Sequence, residues 1–205
     1  MGSHETGKEG ARILGAALAV AALTTAGGCQ SAVSATTTHE GRSMKDDIAV
    51  LHFKRHSFAA FCYNTSGCTV LYNDRYQVRD APEEIQAPPS GPNYRDAWSG
   101  VQIGISNFPA PAIVRWTSKD GCQHQAAVDI GEIFKEQRIF HRVPRQEIPD
   151  QWLNQDIEPD ILLEINDRTL RVFMQAHVPT KHLQDPVKPL SDFRDDLIEV
   201  WSKTY

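Results

Sequence analysis

Apolar and polar positions alternate over short stretches through most of the chain, and clusters of Pro, Gly, Asn and Asp separate the stretches. In residues 48–56, "IAVLHFKRH", Ile48, Val50, Leu51 and Phe53 nearly alternate with their neighbours, which predicts a strand. "FAAFCYN" (58–64) and "CTVLYN" (68–73) read as two further strands about the hairpin tip "YNTSG", followed by "RYQV" (75–78). Residues 80–97 contain four prolines and predict a long loop. Strand patterns resume at 101–106, 112–117 and 125–130, the last two joined by the Asp120-Gly121 turn. "EIFKEQRIF" (132–140) fits a short helix or a strand equally well. "DILLEINDRTLRVFMQAHV" (160–178) has apolar runs on both sides of Asn166-Asp167, a pair that tolerates left-handed backbone, and so predicts a hairpin. In "SDFRDDLIEVWSKTY" (191–205), Phe193, Leu197, Val200 and Trp201 fall at helical spacing behind a Ser N-cap, which predicts an amphipathic helix. The whole reads as mainly β: an antiparallel β-sandwich-like single domain over 48–205 with a C-terminal α-helix, or alternatively an α+β fold.

The N-terminus breaks this pattern. Lys8 and Arg12 precede "ILGAALAVAALTTAGG" (13–28), apolar and then small, which is the layout of a signal peptide over residues 1–28. The run is too short and too rich in Ala and Gly for a permanent span, which takes roughly 20 apolar residues. "AGGC" resembles a bacterial lipobox, although Ala26 stands where that pattern usually has Leu. The resemblance implies lipidation of Cys29, with diacylglycerol and palmitate groups, and sorting to the periplasmic face of the outer membrane. A plain secreted protein cut near Gly28 is the alternative. Residues 29–47 are polar, rich in Ser and Thr and without periodicity, which predicts a flexible tether.

Composition narrows the class further. The chain has 205 residues, 40% hydrophobic and 23% charged, with a formal charge of -5, so it carries no basic footprint for nucleic acid. With Cys29 lipidated, Cys62, Cys68 and Cys122 remain for one disulfide and one spare thiol in an oxidising compartment. Cys62 with Cys68 is the first choice, and Cys122 is an alternative partner for either. Their spacing does not match a zinc site.

No catalytic set assembles from the sequence, so the expectation is a protein that is not an enzyme and takes no metal or cofactor. His52 and His56 sit four apart beside Lys54 and Arg55 and read as a solvated face. His124, His141, His177 and His182 share no spacing. Glu83-Glu84, Asp46-Asp47 and Asp195-Asp196 are adjacent pairs, which do not converge on one substrate atom. Tyr94, Arg95 and Trp98 in the Pro-rich loop, and Trp152 and Asp156 in the acidic stretch 149–160, are residue types that anchor protein interfaces. They are the candidate partner-binding residues, with the alternative that Trp98 folds back onto the sandwich.

Over residues 29–205 the layout resembles the periplasmic lipoprotein immunity proteins of type VI secretion phospholipase effectors. The likeness rests on the lipobox, "FCYNTSGCTVLYNDRYQV", "VRWTSKDG", "HVPTK" and the closing "SDFRDDLIEVWSKTY". It implies a membrane-anchored inhibitor that binds a phospholipase effector. A structural lipoprotein of the envelope, or an exported binding protein or hydrolase with a site drawn from distant segments, fits the same sequence.

Overall fold

The structure is a computed structural model that describes residues 48–205. The signal peptide expected over 1–28, the lipidation expected at Cys29 and the tether expected over 29–47 lie outside the described residues.

The strands, in chain order, are β1 (Arg55–Tyr63), β2 (Thr65–Tyr72), β3 (Arg75–Arg79), β4 (Gln102–Ser106), β5 (Ala112–Ser118), β6 (Gln123–Val128), β7 (Asp160–Asn166), β8 (Thr169–Gln175), β9 (Val178–Pro179), β10 (Phe193–Arg194) and β11 (Ile198–Thr204). They form a five-stranded sheet in the order β11-β8-β7-β1-β4, a four-stranded sheet in the order β3-β2-β5-β6, and the small pair β10-β9. One turn of helix, α1 (Ile130–Ile133), follows β6 and settles the ambiguity of the 132–140 stretch at its start. Asp129 caps it by accepting the Glu132 N–H at 2.9 Å.

The two large sheets share one core. Ile161, Leu163 and Ile165 of β7 and Leu170, Val172 and Met174 of β8 meet Val70 and Tyr72 of β2 and Val114 and Trp116 of β5. The period-2 alternation of these strands supplies that inner face. The pairing is antiparallel throughout the four-stranded sheet. In the five-stranded sheet one pair departs from the expectation, because β1 runs parallel to β7. Both faces of this central pair are covered, so β7 reads as the near-continuous run Ile161-Leu162-Leu163 rather than as an alternation.

Three expectations are corrected. The C-terminal helix is absent: Ile198–Thr204 is a strand that pairs antiparallel with β8 at the edge of the sheet. A bulge between Glu199 and Trp201 gives Val200 no partner of its own, and both Val200 and Trp201 then pack on the core. Two neighbouring apolar residues are what a helical spacing also produces, hence the misreading. Residues 48–54 form no strand and contribute only isolated bridges at Ile48 and His52, while Leu51 and Phe53 are fully buried. His56 is no solvated residue, for it is completely buried between the sheets. Its Nδ1 lies 2.8 Å from Asn107 Oδ1 and its Nε2 lies 3.0 Å from the Tyr72 hydroxyl. Since the Asn107 amide nitrogen donates to the Phe53 carbonyl, Asn107 Oδ1 accepts from a neutral imidazole whose Nε2 takes the Tyr72 proton. Burial holds the His56 pKa below its ordinary value and raises that of Tyr72.

Candidate functional site

The five residues picked from sequence divide between different places. The Pro-rich loop between β3 and β4 folds back over the outer face of the five-stranded sheet. There Trp98 stacks on Phe61 of β1 with ring centroids 4.4 Å apart and planes 4° from parallel, and its Nε1 donates to the Tyr63 hydroxyl at 3.2 Å. Only 6% of Trp98 is exposed. Beneath the loop lies Glu164 of β7, fully buried, to which Arg95 donates at 2.8 Å, Arg171 at 3.3 Å, and the Tyr94 hydroxyl by a further hydrogen bond. Burial first, then the Glu164 carboxylate, push the Tyr94 pKa up to about 12. The Arg95 guanidinium also lies over the Tyr94 and Phe173 rings, 4.7 Å from each centroid. Tyr94, Arg95 and Trp98 thus cover a sheet, and Trp98 offers little surface to a partner. Trp152 is half-buried against the main core, and Asp156 is exposed and paired with Lys54 at 2.8 Å.

A different group of residues comes together at one end of the sandwich. β1 and β2 are joined by the single residue Asn64, with φ at 56°, and the strands belong to different sheets. Residues 62–68 are therefore a corner where the chain passes from one sheet to the other, rather than a hairpin tip. The disulfide Cys62–Cys68 closes it and ties the sheets together. The β7–β8 turn packs beside the corner, since Asn64 Nδ2 donates to Asn166 Oδ1 at 2.7 Å and the Asp167 N–H to the Tyr63 carbonyl at 3.0 Å. Asp167 also accepts the Lys119 N–H at 2.8 Å and, through its carbonyl, Trp116 Nε1 at 2.7 Å, which locks the β5–β6 turn to the same point. Residues 84–87 complete the face. The Gly67 N–H donates to the Glu84 carbonyl at 3.0 Å and the Gln86 N–H to the Thr65 carbonyl at 2.8 Å. Gly67 has φ at +55°, and an added Cβ there would press on the Pro82 backbone at 3.1 Å.

Between these segments lies a groove of about 400 Å³, with Ser66, Ile85, Pro88, Thr117, Lys119 and Gly121 on its walls. Ile85 stands out from it with 81% of its surface exposed, although the backbone on both sides of it is hydrogen-bonded. An aliphatic side chain held outward on fixed backbone is an arrangement suited to contact with another protein. Ile85 carries no sequence signal, being an isolated apolar residue in a Pro-rich loop.

The same end holds a Ser, a His and an Asp within hydrogen-bond reach. Ser118 Oγ lies 2.8 Å from His124 Nε2, 2.5 Å from Asp120 Oδ1 and 3.2 Å from the Cys122 carbonyl. In a nucleophilic triad the carboxylate orients the imidazole and the imidazole takes the serine proton. Here the carboxylate meets the serine rather than the imidazole, so the order of a triad is not reproduced. Asp120 also accepts the Cys122 N–H at 3.1 Å, and the Ser118 and Cys122 hydrogen bonds draw its pKa down to about 2. The wiring is that of a capped turn. Cys122 beside it is exposed and has no disulfide partner among the described residues. Among the described residues no group of three His, Cys, Asp or Glu side chains gathers where it could hold a metal ion, and no helix is long and apolar enough to cross a membrane.

No protein-family model matches the chain, and neither a curated protein nor a solved structure was found to be similar to it.

Proposed function

We propose that this protein is a membrane-anchored, periplasmic inhibitor that binds a type VI secretion phospholipase effector through the corner-and-turn end of its sandwich. The observation that carries the reading is Ile85, exposed on backbone that is pinned to the corner by hydrogen bonds on both sides. A surface whose loops are already ordered avoids much of the entropy cost of association. Polar Ser66, Thr117 and Lys119 around the apolar centre follow the core-and-rim layout of interfaces. The lipid anchor expected at Cys29 adds effective concentration, since it confines the inhibitor to the surface on which a phospholipase works. Inhibition is then steric: the sandwich end covers the enzyme's mouth or holds its lid.

The test is a rescue experiment in which a type VI secretion phospholipase effector is directed to the periplasm. Co-expression of this protein restores growth, whereas Ile85→Asp at equal abundance does not. Equal killing with and without the wild-type protein would reject the reading.

A further inference from the structure

The segment between β8 and β11 leaves the five-stranded sheet at the end away from the corner. Thr169 of β8 sits beside the β7–β8 turn, and Gln175, the last residue of β8, lies about 20 Å farther along the strand. The segment forms an arm based on the β9–β10 pair, where Phe193 stands opposite Pro179 and the His177 ring stacks on Phe193 at 3.9 Å. Beyond this base the chain exposes Leu183 at 42%, Val187 at 88% and Leu190 at 82%. Side chains exposed to that degree project from the surface rather than line a recess.

The backbone of the arm holds them outward. Ser191 Oγ lies 2.8 Å from both the Asp185 and the Lys188 carbonyls and accepts the Asp185 N–H at 3.0 Å. The Gln184 N–H donates to the Ser191 carbonyl at 2.7 Å, and Asp185 Oδ1 accepts the Val187 N–H at 3.0 Å. Between Leu183 and Leu190 the only charged side chains, Lys188 and Asp185, lie 3.5 Å apart, so the tip offers apolar contact rather than charge. The base of the arm lies where the leading segment joins the body. There the Lys181 N–H donates to the Glu147 carbonyl at 2.7 Å, and Pro144 of the same segment bridges to Ile48, the first described residue. The tether expected over 30–47 therefore enters beside the arm, and a flexible chain of that length has a root-mean-square reach of about 20–25 Å.

We propose that the arm is a membrane foot, whose Val187 and Leu190 enter the interfacial region of the bilayer to which the chain is anchored. A bilayer interface takes up projecting aliphatic side chains without a matching pocket. A bilayer tethered beside the arm is also the apolar phase that the tip meets at the highest effective concentration. Two such side chains bury too little for lasting binding by themselves, so the foot orients a protein that is already held at the surface. With the arm down, the corner-and-turn end with Ile85 faces away from the bilayer. The inference rests on the anchor expected at Cys29 and not on the identity of a protein partner.

The test uses the full chain purified from bacterial membranes and reconstituted in vesicles of phosphatidylethanolamine and phosphatidylglycerol, with flotation as the check on the anchor. A nitrobenzoxadiazole label is placed at the tip through Pro189→Cys in a Cys122→Ser background, or at the corner end on the native Cys122. On vesicles the tip label shifts to the blue and is quenched several-fold by nitroxide-bearing lipids, whereas the label on Cys122 keeps its spectrum in water. Adding Val187→Ser and Leu190→Ser, both at exposed positions, abolishes the quenching and leaves flotation and the melting temperature unchanged. High salt does not reverse the quenching, because the tip docks without net charge. The proposal is overturned if the tip label of a co-floating protein stays in water, if Cys122 is quenched as strongly as the tip, if the doubly substituted arm is quenched like the parent, or if salt releases it. A protein that does not float with the vesicles has no anchor, and the proposal falls together with that reading; a protein that floats with its tip in water overturns the proposal alone.

Discussion

Arg95 donates to Glu164 across 2.8 Å, from a loop on the surface to a carboxylate with no exposed side-chain area in the middle of a sheet. A carboxylate buried without partners is costly, and Arg95, Arg171 and Tyr94 together supply hydrogen bonds that make its burial tolerable. The pair also fastens the Pro-rich loop down, which keeps Trp98 over Phe61.

Arg95→Ala leaves Glu164 with Arg171 and Tyr94 only. Because Arg95 is 31% exposed, part of the pair's attraction is screened, and the expected loss is about 1–3 kcal/mol. Urea unfolding measures it. Adding Glu164→Leu to Arg95→Ala recovers much of the loss, since the orphaned charge is then gone. A double variant that is weaker than Arg95→Ala alone contradicts the account.

Opening the corner has a separate cost. Cys62→Ser with Cys68→Ser removes a short cross-link and lowers stability by about 2 kcal/mol by loop entropy. Cys122→Ser at the exposed thiol changes stability by less than about 0.5 kcal/mol. Denaturant midpoints of the three proteins check both values, and a large effect at Cys122 would mean that the disulfide pairing is different.

Acid sensitivity follows from two buried histidines. Burial lowers the pKa of His56 and of His141, so each is neutral in the folded state where the unfolded chain would be protonated. The unfolded state binds more protons below its own histidine pKa of about 6.5, and stability therefore rises with pH through that region. The melting temperature is constant above about pH 7 and falls as the pH drops from about 6.5. A flat profile from pH 7.5 to 5 contradicts the buried neutral assignment.

The edge strand β11 offers a direct check on the C-terminus. Trp201→Ala removes a half-buried ring packed on the core and costs about 2 kcal/mol, less than a fully buried aromatic. Hydrogen exchange distinguishes the two secondary structures. Residues 198–204 show alternating protection, as only the amides facing β8 are bonded, whereas a helix would protect consecutive ones.

Much of the fold is legible in the sequence, for a physical reason that also sets the limit. The β7–β8 hairpin is readable because Asn166-Asp167 marks the turn and the apolar runs flank it, and Asp167 does take φ at 53°. Local pattern cannot tell which sheet a strand joins. The run from Cys62 to Cys68 therefore reads as a hairpin although Asn64 carries the chain between sheets. The bulge that leaves Val200 unpaired turns a strand into a helical spacing on paper. At the candidate site the difficulty is similar. From sequence Trp98 of the Pro-rich loop can stand free or fold back onto the sandwich, and only the tertiary structure shows it stacked on Phe61. Ile85 looks ordinary until its exposure is known, and exposure belongs to the tertiary structure rather than to its neighbours in sequence.

The central claim is that the corner-and-turn end, centred on Ile85, binds and blocks a phospholipase. The most direct measurement is a titration of a purified type VI secretion phospholipase effector with the purified protein, following hydrolysis of phospholipid vesicles. The account predicts inhibition that saturates at one inhibitor per enzyme, and a loss of at least about tenfold in affinity for Ile85→Asp with unchanged melting temperature. Hydrolysis that is indifferent to the protein, or inhibition equally strong with Ile85→Asp, contradicts it.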